Sequence, residues 1–275
     1  MREYRSIRSI IAILLALLAM PVLAQQPANV PTSSDQSAPI CTDRPTKSTF
    51  ACTVPKGRVQ IESDLFNYSR FDRPGTTAET FLLTNPVIKL GIASHTDIQA
   101  AIVPYAWVRT TIAGRTTTVA GAGDLFLRLK QRLTADDAPV QFSLVPYVKL
   151  PVAAAGIGNR RVEGGVTAAS NIALPGGFTL TVAPTLDILA NGTGAYHPQL
   201  QGLVNLGKQI GPVTLYGELW TAQTFDPAGR VDQYSADLAI AYLLNRDLQL
   251  DVGGNFGLNR NTPAVQAYLG VSARF

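Results

Sequence analysis

The sequence predicts an all-β protein, a transmembrane antiparallel β-barrel of about twelve strands with both termini in the periplasm. Three observations predict it. Segments of alternating apolar and polar residues recur along most of the 275 residues, their connections alternate between short and long, and the last segment keeps its apolar phase as far as Phe275. Because successive side chains of a strand point to opposite faces, each such segment can offer one face to lipid and the other to a lumen.

The chain opens with a segment typical of a secretory signal peptide. Three arginines within the first eight residues precede an apolar run that extends to Met20, and Val22-Leu23-Ala24 resembles a cleavage site. The run is short for a membrane-spanning helix, which needs about 20 residues. We therefore expect residues 1–24 to be removed during export towards the outer membrane of a Gram-negative bacterium.

Residues 25–56 form an irregular, polar periplasmic segment ahead of the first strand. Cys41 and Cys52 are the only two cysteines of the chain. Export to an oxidising compartment favours a disulfide between them, and the alternative is a pair of reduced or metal-binding thiols. Two hypotheses remain for the segment as a whole, because it can enter the lumen as a plug or hang free as a disordered tail.

Residues 57–275 form the predicted barrel. In one of its segments, for example, Phe142 and Leu144 share one face while Gln141 and Ser143 share the other. Each segment is long enough for a tilted crossing of the bilayer, which needs roughly 9–11 residues. The twelve segments lie at about 58–69, 80–92, 96–108, 120–133, 139–150, 161–174, 178–189, 198–210, 213–222, 233–244, 247–259 and 264–275. Four prolines fall in the aliphatic phase, which is unusual within a sheet: Pro86, Pro104, Pro146 and Pro184.

The connections between segments support the barrel independently. Short ones lie near 94–96, 135–138, 175–177, 211–212 and 245–246, and longer ones near 70–79, 109–119, 151–160, 190–197, 223–232 and 260–263. Outer-membrane barrels have short periplasmic turns and longer extracellular loops. A soluble β-sandwich would also alternate, but with shorter strands. No stretch after the signal segment is apolar enough for a transmembrane helix, so a membrane location requires a closed barrel.

Several short motifs, in their order along the chain, resemble one family of outer-membrane proteins. They are Thr42-Asp43-Arg44-Pro45-Thr46, Val54-Pro55-Lys56-Gly57-Arg58, Gly121-Ala122-Gly123-Asp124-Leu125, Lys149-Leu150-Pro151 and Leu250-Asp251-Val252-Gly253. Over about residues 42–275 the chain resembles the family labelled putative meta-pathway of phenol degradation, whose members are often called outer-membrane transporters. The resemblance implies uptake or efflux of small, often aromatic or hydrophobic compounds. It implies no catalytic residues.

Charged residues follow the phase that we assign to the lumen. Basic ones lie on the predicted strands two to five: Lys89, Arg128, Lys130, Arg132 and Lys149. Acidic ones lie on strand one and strands seven to eleven, with Asp124 as the exception: Glu62, Asp64, Asp187, Glu218, Asp237 and Asp251. In a cylinder these become facing walls of opposite sign, which either set a field across the lumen or pair and fill it. Since the first and last strands must meet, we expect Glu62 to pair with Arg274.

Aromatic residues share the same phase, mostly towards the extracellular half: Tyr68, Tyr105, Trp107, Tyr147, Tyr216 and Trp220. In the lumen they would hold a hydrophobic solute by stacking and desolvation. The alternative is that these are interfacial girdle residues, placed on the wrong face because a bulge shifts the phase.

Other functional classes fit the sequence less well. A net charge of +4 does not indicate nucleic-acid binding. The chain has two histidines, His95 and His197, but neither a nucleophile-elbow motif nor metal-ligand spacing. We therefore expect no enzyme, no metal site and no cofactor, and we keep a sealed structural or binding barrel as the alternative to a channel. The expected partners are outer-membrane lipid, a small-molecule solute and the assembly machinery, which would read Phe275 as a terminal signal.

Overall fold

The computed structural model describes residues 38–275, so the predicted signal peptide and the first part of the polar segment lie outside the described residues. Strands and a single 3-10 turn at Pro175–Gly177 make up its regular structure. The strands are β1 (Val59–Arg73), β2 (Thr76–Leu83), β3 (Val87–Ala93), β4 (Thr96–Ile102), β5 (Tyr105–Ile112), β6 (Arg115–Gly121), β7 (Leu125–Arg132), β8 (Val140–Leu150), β9 (Glu163–Leu174), β10 (Phe178–Val182), β11 (Thr185–Ala190), β12 (Tyr196–Ile210), β13 (Val213–Thr224), β14 (Val231–Asn245), β15 (Leu248–Gly257) and β16 (Val265–Arg274).

These strands make twelve crossings of a closed antiparallel barrel, which confirms the predicted fold class. Four crossings are each interrupted by a short break, which divides them into β2 and β3, β4 and β5, β6 and β7, and β10 and β11. The barrel closes where β16 pairs antiparallel with β1, with Gln60 opposite Arg274 and Glu62 opposite Ser272. No helix within residues 38–275 is long and apolar enough to cross a membrane.

The two ends of the barrel differ. At the short-turn end, where β1 begins and the chain terminates, the Phe275 amide donates to the Val59 carbonyl at 2.8 Å. At the long-loop end, two of the predicted loops are wrong. Residues 70–79 and 109–119 continue as strands into hairpins whose turns are Pro74-Gly75 and Ala113-Gly114. Gly75 and Gly114, both with φ near +80°, supply the left-handed conformation that such tight turns need.

The barrel is apolar outside and polar inside. Outward aliphatic side chains such as Ile88, Leu129 and Val252 are 40–49% exposed, whereas Asn171 and Asn205 are fully buried in the interior. A soluble protein would have the opposite distribution, because the hydrophobic effect buries aliphatic side chains away from water. The outward surface is therefore suited to contact with lipid.

The aliphatic prolines mark irregularities in the wall. Pro86, Pro104 and Pro184 lie in the breaks of three crossings. Pro146 stays within β8, but β7 and β8 lose two positions of pairing beside it, between the pairs Arg128–Tyr147 and Gln131–Leu144. A proline has no N–H to donate to a neighbouring strand, so it can interrupt the ladder on the side where that donor is needed.

One bulge and one break reverse the phase of three predicted lumen aromatics. The pairing of β1 with β16 shifts between Asp64 and Phe66, which turns Tyr68 to the outer face. The break at Val103-Pro104 does the same for β5. Assignment of Tyr68, Tyr105 and Trp107 to the lumen is therefore wrong. Tyr68 and Trp107 both lie opposite Phe81, whose ring packs at 5.3 Å against that of outward-facing Phe66. Tyr105 is 43% exposed on that same face.

Candidate solute pathway in the barrel lumen

Residues 38–56, which we call the lumen segment, lie inside the barrel. The segment enters and leaves at the short-turn end: the Ile40 amide donates to the Arg246 carbonyl at 2.6 Å, and the Gly57 amide donates to the Gly91 carbonyl at 2.8 Å. Between these points, Ala51 and Val54 are almost wholly buried. The lumen segment therefore fills that end of the barrel as an irregular chain whose polar groups are met by the wall.

A disulfide closes the lumen segment on itself. Cys41 and Cys52 are bonded with their Cα atoms 6.4 Å apart, and no cysteine in the described part of the chain is free. The predicted disulfide is confirmed. Because the bond ties the two limbs of the segment together, the segment sits in the lumen as a compact loop.

Asp43 of the lumen segment faces the basic wall. Its carboxylate accepts from the ammonium groups of Lys89 at 2.5 Å and Lys130 at 2.9 Å. Burial alone would raise the pKa of Asp43, but the charges of Lys130 and Lys89 outweigh burial and hold that pKa well below its usual range. Lys89 also pairs with Glu62 at 2.6 Å, and the Asp43 amide donates to the same glutamate at 3.1 Å.

Arg44 and Lys47 face the acidic wall. The Arg44 guanidinium binds Asp64 at 2.5 Å and Asp251 at 2.7 Å, and the Lys47 ammonium binds Asp237 at 2.5 Å. The Lys47 amide donates to Glu218 at 3.1 Å. Each wall of the barrel is therefore paired with residues of opposite charge on the lumen segment. The sequence could not predict this pairing, because the lumen segment has no regular periodicity.

Three further predicted lumen charges, Arg132, Lys149 and Asp124, pair with neighbouring turns and strands. Arg132 binds Asp136, and Lys149 lies 2.7 Å from Glu163 and 3.4 Å from Asp124. The expected pair of Glu62 and Arg274 is wrong. The register places Ser272 opposite Glu62, and Arg274 binds Asp247 at 2.6 Å instead.

Hydroxyls and glycines also fit the lumen segment to the wall. Thr42 and Ser272 of β16 share a hydrogen bond of 3.1 Å. At Gly91, a Cβ would collide with the backbone of Val54 and Pro55, and at Gly270 it would collide with the Arg44 guanidinium. The segment therefore approaches these two wall positions more closely than any side chain would allow.

A cavity of about 430 Å³ lies beside residues 43–49 of the lumen segment. Most of its lining residues are polar or charged, and the others are aromatic or aliphatic. The lining includes Phe126, Arg128, Tyr147, Asp187, Gln201, Leu203 and Trp220. Small-molecule sites commonly measure roughly 300–1,000 Å³, so the cavity has the volume for a small solute that offers both an apolar surface and polar groups.

A chain of hydrogen bonds holds the cavity wall together across four crossings. The Tyr147 hydroxyl donates to one carboxylate oxygen of Asp187 at 2.6 Å. The side-chain amide of Gln201 donates to the other oxygen of Asp187 at 2.5 Å. The Trp220 indole N–H then donates to the Gln201 oxygen at 3.2 Å. Lys47 of the lumen segment lies 5.0 Å from the centre of the Trp220 ring. These bonds fix the orientation of the aromatic rings before any solute arrives.

Three of the predicted aromatics, Tyr147, Tyr216 and Trp220, do face the lumen. Tyr216 shares the face of Glu218 on the uninterrupted strand β13. The prediction missed Phe126 and Tyr268. Phe126 lines the cavity, and Tyr268 is buried with the Arg44 guanidinium 5.9 Å from its ring centre. Both could have been found, because each has the same parity as a predicted lumen charge on its own strand.

The two histidines lie apart from the cavity. His95 is in a turn at the short-turn end, 3.5 Å from Asp136, and His197 is buried on β12. Within residues 38–275 neither histidine is hydrogen-bonded to a serine, and no group of histidines, cysteines and carboxylates there could hold a metal ion.

Comparison with known proteins identifies one matching family. Residues 42–275 match the family described as "Putative MetA-pathway of phenol degradation". The matched region begins inside the lumen segment and reaches the end of the chain. No curated protein matches the sequence.

Several solved structures share the fold. An outer-membrane channel from Pseudomonas putida F1 is 12% identical, with a TM-score of 0.67 over 81% of this chain and 97% of that one. The β domain of a Bordetella autotransporter is 15% identical, with a TM-score of 0.51 over 80% of this chain and 100% of that one. The NanC porin is 8% identical, with a TM-score of 0.50 over 78% of this chain and 98% of that one. At these identities the likeness shows an outer-membrane barrel fold.

Proposed function

The chain belongs to the family described as "Putative MetA-pathway of phenol degradation", and we propose that it is an outer-membrane channel that binds and passes small aromatic or hydrophobic solutes. The observation that carries this proposal is the cavity beside the lumen segment. Its aromatic side chains, Phe126, Tyr147 and Trp220, are inside the barrel, where lipid does not reach them, so they are available to a solute. The membrane is the outer membrane of a Gram-negative bacterium, as for the solved barrels of this fold.

The short-turn end faces the periplasm in this proposal. Short turns are periplasmic in outer-membrane barrels, and an exported chain would present its amino-terminal segment from that side. The lumen segment then acts as a plug that fills the periplasmic half of the lumen, with the cavity on its extracellular side. A solute entering from outside would meet the aromatic cavity first and the plug second.

A sealed binding or structural barrel is the second candidate. The observation in its favour is that the lumen segment is matched in charge to both walls and disulfide-bonded, so it is well held. In that case a solute would bind in the cavity without crossing. Current through the purified protein distinguishes the two candidates, because only a channel conducts.

The test compares two tryptophans. Trp220 lines the cavity and Trp107 faces outwards, so Trp220→Ala and Trp107→Ala remove the same side chain from opposite faces of the barrel. Phenol should reduce single-channel current through the refolded full-length protein in a planar bilayer. We expect Trp220→Ala to weaken this block by about tenfold, since an aromatic contact and its buried surface are worth roughly 1–3 kcal/mol.

Trp107→Ala should leave the phenol block unchanged. Equal effects of the two substitutions would contradict a lumen site. A folded protein that carries no current but still binds phenol would favour the sealed barrel over the channel.

A further inference from the structure

We propose that the solute bound in the cavity carries an anionic group, such as a carboxylate on an aromatic ring, and that Arg128 is its counter-ion. This inference rests on the proposed function and names the chemical class of the solute.

Arg128 differs from the other basic side chains of the lumen wall. Within the described part of the chain it forms no ion pair, whereas five other lumen bases do: Lys89, Lys130, Arg132, Lys149 and Arg274. A half-buried guanidinium without a carboxylate partner is costly unless water or a ligand meets it.

The position of Arg128 directs its charge into the cavity. It lies on β7 directly opposite Tyr147 of β8, and its guanidinium carbon is 5.9 Å from the centre of the Phe126 ring. All three side chains line the cavity. A planar guanidinium binds a carboxylate through two parallel N–H···O bonds, which orients the ligand as well as attracting it.

The rest of the cavity suits the ring of such a solute. Phe126 and Tyr147 lie side by side with their ring centres 6.1 Å apart. Leu203 and Trp220 occupy directly paired positions on β12 and β13. A bound ring would contact aromatic and aliphatic surface on both of these parts of the wall while its anionic group reaches Arg128.

Five other charged residues line the cavity, and all are already engaged. Asp43 and Glu62 bind Lys89. Arg44 binds Asp64 and Asp251. Lys47 is bound to Asp237 at 2.5 Å. Asp187 accepts hydrogen bonds on both oxygens, from Tyr147 and Gln201, and is only 1% exposed. Among the described residues that line the cavity, Arg128 is therefore the charged group without an ion pair. A cationic aromatic would have to compete for Asp187 and approach an unpaired guanidinium.

The experiment uses the fluorescence of Trp220, which lines the cavity, to report solute binding. The full-length protein has two tryptophans, so Trp107→Phe leaves Trp220 as the single fluorophore. Three probes of similar size are titrated into the refolded protein at neutral pH: benzoate, benzyl alcohol and benzylammonium. We expect benzoate to bind most tightly. In this background Arg128→Gln should raise the dissociation constant of benzoate about tenfold or more, the usual size for a charge-assisted hydrogen bond.

The test depends on whether Arg128→Gln weakens the binding of benzoate selectively. Arg128→Gln should leave benzyl alcohol binding unchanged, and Arg128→Lys should restore part of the benzoate affinity. Arg109→Gln, at an exposed site on the outer face, is the matched control and should alter neither. The inference is overturned if benzoate binds no more tightly than benzyl alcohol in the unsubstituted cavity, if benzylammonium binds best, or if Arg128→Gln weakens all three probes alike.

The probe comparison also separates the two proposals. If benzyl alcohol binds and benzoate has no advantage, the anionic class is wrong and the aromatic cavity stands. If no probe alters Trp220 fluorescence or channel current in a folded barrel, the proposed function fails as well. Because the comparison among probes needs no change at Arg128, it remains decisive even if that variant does not fold.

Discussion

At the scale of single residues, the glycines of the lumen wall show how closely the lumen segment is seated. Gly91 lies against the backbone of Val54 and Pro55, where a Cβ has no room. A flexible side chain could move aside, but backbone held by its own hydrogen bonds cannot do so cheaply. The Val54 amide is one such group, since it donates to Asp97 at 2.9 Å.

We therefore expect Gly91→Ala to dislodge the lumen segment near its exit. The methyl group should cost roughly 1–3 kcal/mol, as for other overpacked sites, and it should raise the open-channel conductance because the segment is no longer fully seated. Thermal unfolding by circular dichroism and single-channel recording are the two measurements.

Gly202→Ala is the matched control for this prediction. A Cβ at Gly202 would meet only Thr221, at an ordinary contact distance of 3.5 Å. Unaltered conductance and melting temperature in Gly91→Ala would mean that the lumen segment is not held at this point.

The sequence predicts lumen charges better than lumen aromatics, for a physical reason. Lys130 and Asp237, for example, are costly to place in lipid, so their strands must turn them inwards wherever a bulge or break falls. Tyr68 and Trp107 are stable on either face, so only the local alternation along the strand decides whether they face lipid or the lumen. The break at Val103-Pro104 had a signal in its proline, whereas the bulge at Leu65 had none in its composition.

At the scale of elements, the lumen segment is the part that periodicity could not describe. It has no strand or helix, and its position depends on contacts with distant crossings. The sequence left two hypotheses for residues 25–56, a plug and a tail, because neither the charges of Asp43 and Arg44 nor the cysteines specify a partner within the barrel. Only the three-dimensional arrangement of the walls supplies those partners.

The disulfide gives a test of this element. Reduction should release the loop between Cys41 and Cys52. In the chain-entropy account, a disulfide that closes a loop of this size stabilises the folded state by about 2–3 kcal/mol, and reduction removes that stabilisation. We expect a reductant to increase current noise and mean conductance in planar bilayers, because the ion pairs alone must then hold the lumen segment.

The double variant Cys41→Ser, Cys52→Ser should show that noise from the start and should not respond to reductant. If thiol labelling shows complete reduction of the unaltered protein while its current stays constant, the disulfide does not restrain the lumen segment.

At the scale of the whole molecule, Phe275 directly follows β16, the strand that closes the barrel. Its side chain is 66% exposed on the outside, while its backbone bonds Val59 in both directions. We expect Phe275→Asp to lower the amount of folded barrel in isolated outer membranes, because the assembly machinery is expected to read the terminal aromatic. Heat-modifiable migration on gels measures the folded fraction.

Phe275→Tyr is the control and should assemble normally, since it keeps the aromatic ring. Purified Phe275→Asp should also refold in detergent, because the side chain touches nothing in the lumen. Normal assembly of Phe275→Asp in cells would show that the assembly machinery does not need the terminal aromatic.

The contacts of the lumen segment span the seam at which the barrel closes. Arg44 joins Asp64 on the first crossing to Asp251 on the penultimate one, and Thr42 bonds Ser272 on the last. Before these carboxylates are enclosed, their counter-charges must already be in place, because an enclosed charge without a partner is strongly unfavourable. We therefore expect seating of the lumen segment and joining of the first and last strands to be coupled in biogenesis. The lumen segment thereby links the first crossing of the barrel to the last two.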